Sequence, residues 1–349
     1  MIAPLLHRPS SRSAALAAAG AGLLVPDLAE AHVKWFCAFD VAGQPRGLAN
    51  VLCQDFELLV GLALVLLIAG CVVEGTFVGA ALQRALNRAT GPIATQSELL
   101  FRAICGGFFV ALWTKGGILL TPELTTDFEF VPWLQLAIAA GMLWRRTLPL
   151  SALGIVVLFG LALSRYGLFH LMDYPIFLGA AAWLALTGLQ RDFFGLKPIA
   201  VLRWATAITL MWASIEKWAY PEWTFPLFVS HPGLTFGYDP EFFMRAAGVI
   251  EFALSFALIW TPLVQRVASI MLAGMFLSAI PAFGKLDAIG HAPIIAVLLV
   301  IMAEPALAAP VRLRLRSLAL APAGFAAALA IALVLYYAMH ALLFGTSMA

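Results

Sequence analysis

Glu216 and Lys217 stand side by side where an apolar run from about Ile199 reaches the aromatic stretch Trp218, Tyr220 and Trp223. Charged side chains at such a boundary are costly unless they pair or reach water, so an ion pair there is a functional-site hypothesis by default. The structural alternative is a lysine snorkelling from an aromatic belt. Glu251 is the natural third member, about ten residues into its own apolar run. A lone carboxylate at that depth is driven neutral, whereas pairing with Lys217 keeps it ionised. Lys115, near the end of an earlier run, echoes Lys217. Such groups could carry protons, hold a quinone headgroup or lock helices together, and all three readings stay open. Lys217, Glu216, Glu251, Lys115 and Trp218 are therefore the candidate cofactor-binding residues.

Histidines form a second set. His32, His170, His231, His291 and His340 all map to one side of the chain's alternation of runs and loops, with Asp173, Asp239, Glu241 and Asp287 nearby. Imidazoles and carboxylates converging on one surface could hold copper or zinc. The candidate metal ligands are His32, His170, His231, His291 and Asp173, although no pair has a tight HxH or HxxxH spacing. Hydrogen bonding of the same residues to loop backbone is the alternative.

His32 matters because of what precedes it. Residues 1–31 read as a signal peptide: basic His7, Arg8 and Arg12, an Ala/Leu-rich core, Pro26, and an Ala-Glu-Ala site at 29–31. Cleavage would make His32 the mature N-terminus, and its amine and ring Nδ1 could then chelate Cu(II). Cys37 and Cys53 follow in the same segment, where a disulfide is the expected use. Cys71 and Cys105 fall in apolar runs and read as core residues.

Hydrophobic residues make up 62% of the 349 and charged residues 11%, with a mean hydropathy of +0.94. That excludes an ordinary soluble domain, and the absence of alternating strand-length segments argues against a β-barrel. The arginines form no continuous patch, so nucleic acid is not an expected partner. Nucleotide loops, haem-attachment motifs and nucleophile elbows are also missing from the sequence.

The elements that must position these residues are apolar runs of roughly 17–25 residues, the length of a membrane-spanning helix. The reading is an all-α polytopic bundle of about ten transmembrane helices. They fall near 56–81, 99–120, 131–144, 148–168, 174–189, 199–219, 242–261, 264–283, 288–303 and 318–343. Arg84, Arg88, Arg145, Arg146, Arg191 and Arg266 fall in alternate loops, which the positive-inside rule makes cytoplasmic. Both mature termini then face the periplasm of a bacterial inner membrane. Segments 99–190 and 191–304 read as tandem four-helix units. They are preceded by an extracytoplasmic segment and first helix at 32–98 and followed by a last helix within 305–349. Each unit opens on an arginine (Arg102, Arg203), and Gln135 and Trp144 in the first repeat the spacing of Glu251 and Trp260 in the second. Copies with an even number of spans share one orientation, with any site near their interface.

The second unit resembles the DoxX/DoxD-like family of small four-helix membrane proteins. The resemblance rests on Arg203, the Glu216-Lys217 end of its first helix, Gly248-Val-Ile-Glu251 and Arg266. It covers about 100 residues well and the first unit more loosely, since Gln135 stands where the second has Glu251. A subunit associated with thiosulfate:quinone oxidoreduction belongs to that family, so the resemblance implies a membrane redox context. The expectation is an integral membrane protein with an outward-facing polar site for quinone or copper, in or beside a membrane oxidoreductase. Its partners would be the lipid bilayer and a periplasmic or membrane redox subunit. The rivals are a transporter or channel running between the two units, and a non-catalytic assembly partner.

Overall fold

The computed structural model describes residues 33–306 and 315–345; residues 1–31 and His32 lie outside the described residues. Helix is the regular structure throughout, and the only β-pairing among the described residues is two isolated bridges. Among the described residues, six helices are long and apolar enough to cross a membrane. Leu58, Leu62, Val65 and Leu66 on one of them, and Ile331, Val334 and Leu335 on another, face outward. Apolar surface on that scale is suited to acyl chains rather than water. The chain is a multi-pass, all-α membrane protein.

The helices after the short α1 (Val33–Phe36) and α2 (Leu48–Val51) are α3 (Gln54–Glu74), α4 (Phe77–Ala94), α5 (Ser97–Lys115), α6 (Val131–Gly141), α7 (Leu148–Leu171) and α8 (Pro175–Leu189). The chain continues through α9 (Pro198–Ala219), α10 (Phe225–Ser230), α11 (Pro240–Ala257), α12 (Pro262–Ala303) and α13 (Leu315–Phe344). Proline occupies the first turn of α6, α7, α8, α9, α11 and α12, where its missing N–H costs no helical hydrogen bond. Neighbours in sequence pack in succession from α5 through α9, then α11 and α12, and α12 returns against α5.

The 42-residue α12 is a hairpin rather than one rod. Gly284 has φ +74°, open to glycine and strained for other residues. Ser269 Oγ donates to Leu298 O at 2.6 Å, and Arg266 Nε donates to Met302 O at 2.8 Å, so the limbs run antiparallel. Two other expected boundaries move. The run read as one span over 56–81 breaks at Gly75-Thr76, where the Thr76 side chain caps α4 by accepting from Gly79 N. Arg84 and Arg88 therefore sit on a helix instead of in a loop. The run read over 99–120 stops at Lys115, because Gly116 and Gly117 both take φ +67° and turn the chain out of the helix.

The bundle has two distinct ends. Arg102 donates to Met142 O and Leu143 O at one, satisfying carbonyls that a helix C-terminus leaves free. Arg203 bonds Gln265 and lies 3.3 Å from Glu304 at the same end, where Arg266 is also buried. The opposite end, about 20 Å away at 1.5 Å per residue along α9, holds the site.

Candidate functional site

Lys34 is the centre of that end. It is 4% exposed, and its Nζ donates to Asp173 Oδ2 and, at 2.6 Å, to Glu216 Oε1. Burial works against its charge, but Asp173 and Glu216 outweigh it and hold the ammonium above its ordinary pKa. The rings of Phe39 and Trp223 lie with their centroids 5.7 Å from the same nitrogen, within cation–π range. Trp223 is stacked in turn on Tyr220 at 4.1 Å.

A four-residue helix does not bury a lysine unaided. Trp35 fills the space over Gly290, where a Cβ would stand 1.9 Å from its ring, and its indole lies 5.0 Å from the His291 imidazole. Farther along, Tyr220 Oη donates to Gly43 O and Tyr337 Oη to Arg46 O. The Arg46 guanidinium forks onto both oxygens of Glu241 at 2.6 and 2.9 Å. The segment before α3 is thus fastened across α9, α11, α12 and α13, and Lys34 is held in place from several sides.

Glu123 completes the charge set. Gly116-Gly117 start a hairpin-like loop in which Leu119 N bonds Leu124 O and Thr126 N bonds Gly117 O. Gln135 Nε2 holds that loop by donating to Ile118 O and Leu119 O. Leu119, Leu120 and Leu124 are fully buried, which brings Glu123 inward at the tip. The residue as a whole is half-buried, but both carboxylate oxygens are shielded from solvent. Burial pushes its carboxyl up to about 7, against hydrogen bonding within its own loop and the pull of Lys34. His170 Nε2, Asp173 Oδ1, Tyr174 Oη, Trp212 Nε1 and Tyr336 Oη are also buried without a hydrogen bond among the described residues. Polar atoms in such number at one end are unusual, since buried polar groups are generally satisfied. Their types can donate to a carbonyl, accept a proton and return one.

The residues singled out by sequence divide among several places. Glu216 and Lys217 are adjacent on α9, so they diverge by about 100° around it. Glu216 turns to Lys34, whereas Lys217 Nζ lies 2.5 Å from Glu251 Oε2, the cross-bundle pair that sequence suggested. Trp218 belongs to the α9–α11 contact. Its indole donates to Arg245 O, and Gly248 lets the helices close, since a Cβ there would meet Trp218 Nε1 at 2.3 Å. Lys115 is exposed at the end of α5.

Among the candidate metal ligands, His170 and Asp173 share the Lys34 end. His170 sits among Phe39, Tyr166 and Tyr174. His231 bonds Ser230 Oγ and packs on Phe283, while His291 lies 2.8 Å from Asp287. His340 contacts Gly43 O. No group of three or more His, Cys, Asp or Glu is arranged to hold a metal ion among the described residues. Cys37 and Cys53 are half-buried and, among the described residues, not joined by a disulfide.

Lys34 and Glu123 were missed as site residues. Lys34 stands in the sequence beside Trp35 and Phe36, but the glycine that receives Trp35 is on α12, far along the chain. A signal for Glu123 existed in Gly116-Gly117, a helix stop placed just before it.

No family model matches this chain, and comparisons with curated proteins and with solved structures gave no match.

Proposed function

We propose that this protein binds a quinone headgroup at the Lys34 end and serves as a subunit or accessory of a membrane oxidoreductase. The observation that carries the reading is one buried ammonium held by Asp173 and Glu216 with Glu123 in electrostatic reach, walled by Phe39 and Trp223. Desolvating these ions costs several kcal/mol each, and an apolar trio of similar volume would serve stability as well or better. A headgroup carbonyl would accept from Lys34 or Tyr174, and its ring would lie against the aromatic walls. Quinone reduction takes up two electrons and two protons. The electrons would come from the partner redox subunit, and Glu123, with its carboxyl near pH 7, is suited to pass protons.

The same proposal includes a bacterial inner-membrane location with about ten spans, both mature termini on the Lys34 side and residues 1–31 removed as a signal peptide. Segments 99–190 and 191–304 would be tandem units, the second related to the DoxX/DoxD-like family. The layer between the two ends gives a conduit little support, since Phe101, Phe108, Phe109, Phe177 and Leu184 face one another there.

The test is to purify the full chain, extract and quantify bound quinone, and titrate a short-tailed quinone against tryptophan fluorescence. Saturable quenching that is lost in Lys34→Met and kept in Lys115→Met is expected. Quinone-free protein with no quenching overturns the reading.

A further inference from the structure

Helix α4 uses only part of its surface inside the protein. Gly79, Ala80, Gln83 and Thr90 are buried and Asn87 half-buried, all on one face. That face clasps the inner end of the α12 hairpin: Arg266 donates to Gln83 Oε1, Asn87 Oδ1 and Thr90 Oγ1, and Asn87 Nδ2 donates to Ala306 O. The other face carries Phe77 at 75% exposure and Val78 and Leu82 at 44% each, with Arg84 and Arg88 exposed one turn apart. Neither arginine forms an ion pair among the described residues. Glu74, the acid nearest in sequence on the preceding span, is buried on the protein side.

The register explains why this face is not simply solvent-exposed. A Cβ on Gly79 would stand 2.2 Å from Val73 O, so α4 leaves the end of α3 in a tight turn and starts at the boundary of that span. It then crosses the Arg266 end of the bundle. A helix leaving a membrane boundary with bulky apolar residues and a pair of arginines outward has the composition of one lying in the headgroup region.

We propose that the outward face of α4 is a docking surface for acidic phospholipid headgroups of the adjoining leaflet. Phe77, Val78 and Leu82 reach the acyl boundary, and Arg84 and Arg88 hold one or more anionic phosphates. Guanidinium groups suit that ligand because their planar donors match phosphate oxygens in pairs. The bound lipid would also brace the helix that covers Arg266. This surface does not depend on the quinone reading, since it lies at the opposite end and uses none of the same residues.

The experiment places the full-length protein in nanodiscs of phosphatidylcholine with increasing phosphatidylglycerol. Lipids retained on transfer to detergent are then counted by native mass spectrometry. The wild type is expected to retain phosphatidylglycerol in preference to phosphatidylcholine. Arg84→Gln/Arg88→Gln is expected to lose about thirty-fold of that preference, about five-fold for each arginine near a membrane surface. Arg191→Gln, in the loop between α8 and α9, serves as a control and retains it. Melting in pure phosphatidylcholine should be the same for all three proteins, which separates lipid binding from folding. An unchanged preference in the double variant overturns the proposal. So does a preference that falls only together with melting in phosphatidylcholine.

Discussion

Two cations are buried at opposite ends of this bundle, and they are treated differently. Arg266, 1% exposed, is met by neutral acceptors: a carbonyl, two side-chain amides and a hydroxyl, with no carboxylate in ion-pair range among the described residues. Lys34 is met by two carboxylates, with a third in electrostatic reach and several polar atoms around it unbonded. The arginine fork is nearly saturated by groups from α4 and α12, so it joins those elements and has little capacity left for a ligand. The lysine cluster carries surplus acceptors and more carboxyl groups than cations. The contrast separates a structural clasp from a candidate site, although both are buried charges in a membrane protein.

The contrast breaks first at Lys34. Lys34→Met leaves Asp173 and Glu216 buried together without a cation, a loss of about 3–5 kcal/mol. A marked fall in melting temperature in nanodiscs is expected, partly recovered by Lys34→Met/Glu216→Gln, which removes one stranded charge. If the single variant melts like the wild type, the cluster is not buried as described. Arg266→Met leaves neutral acceptors rather than charges, so the expected loss is smaller, about 2–3 kcal/mol. Arg266→Lys keeps the charge without the fork and should recover less than half of it. Hydrogen exchange in 77–94 rises with both variants if the clasp is what holds α4. A larger melting loss for Arg266→Met than for Lys34→Met would reverse the comparison.

The Arg266 end was the more legible in sequence. Apolar runs with proline at their starts mark most helices, and the all-α membrane class follows from composition. Even there, α4 was absorbed into the preceding span and a loop, although Gly75-Thr76 followed by Gly79 is a stop and cap that could have divided them. The Lys217–Glu251 contact was legible because each residue lies on a long periodic helix, where spacing fixes the face. Lys34 lies in a helix of four residues, too short for a period to apply to it. Its burial is created by Trp35 on Gly290 and by Tyr220 and Tyr337 bonding the backbone around residues 43–46. The single-letter pattern records none of those contacts. Glu123 was obscure for the same reason: a loop held by Gln135 turns it inward.

Glu123 sharpens the comparison through pH. Its carboxyl is raised to about 7 from 4.5, so the folded protein holds a proton that the unfolded chain has released. The contribution of Glu123 to stability therefore falls as pH rises from about 4.5 to 7 and levels off above, the opposite of a salt-bridged carboxylate. Glu123→Gln removes that fall. The variant is expected to gain on the wild type by about 2 kcal/mol between pH 5 and pH 8. Melting curves at the two pH values decide it, and parallel curves for the two proteins would remove Glu123 from the cluster.

The smallest effect is expected where sequence placed the most emphasis. Lys217 and Glu251 meet at 2.5 Å, but the lysine side chain keeps 29% of its surface exposed, against 1% for Lys34. Solvent screens such a pair, and a double-mutant cycle of Lys217→Met with Glu251→Gln should give a coupling of about 1 kcal/mol. Quinone quenching should survive the double variant, because Lys217 points to α11 while Glu216 beside it points to Lys34. A coupling as large as the Lys34 loss, or quenching abolished with Lys217, would move the site one residue along α9 and make the Lys34 cluster the lock.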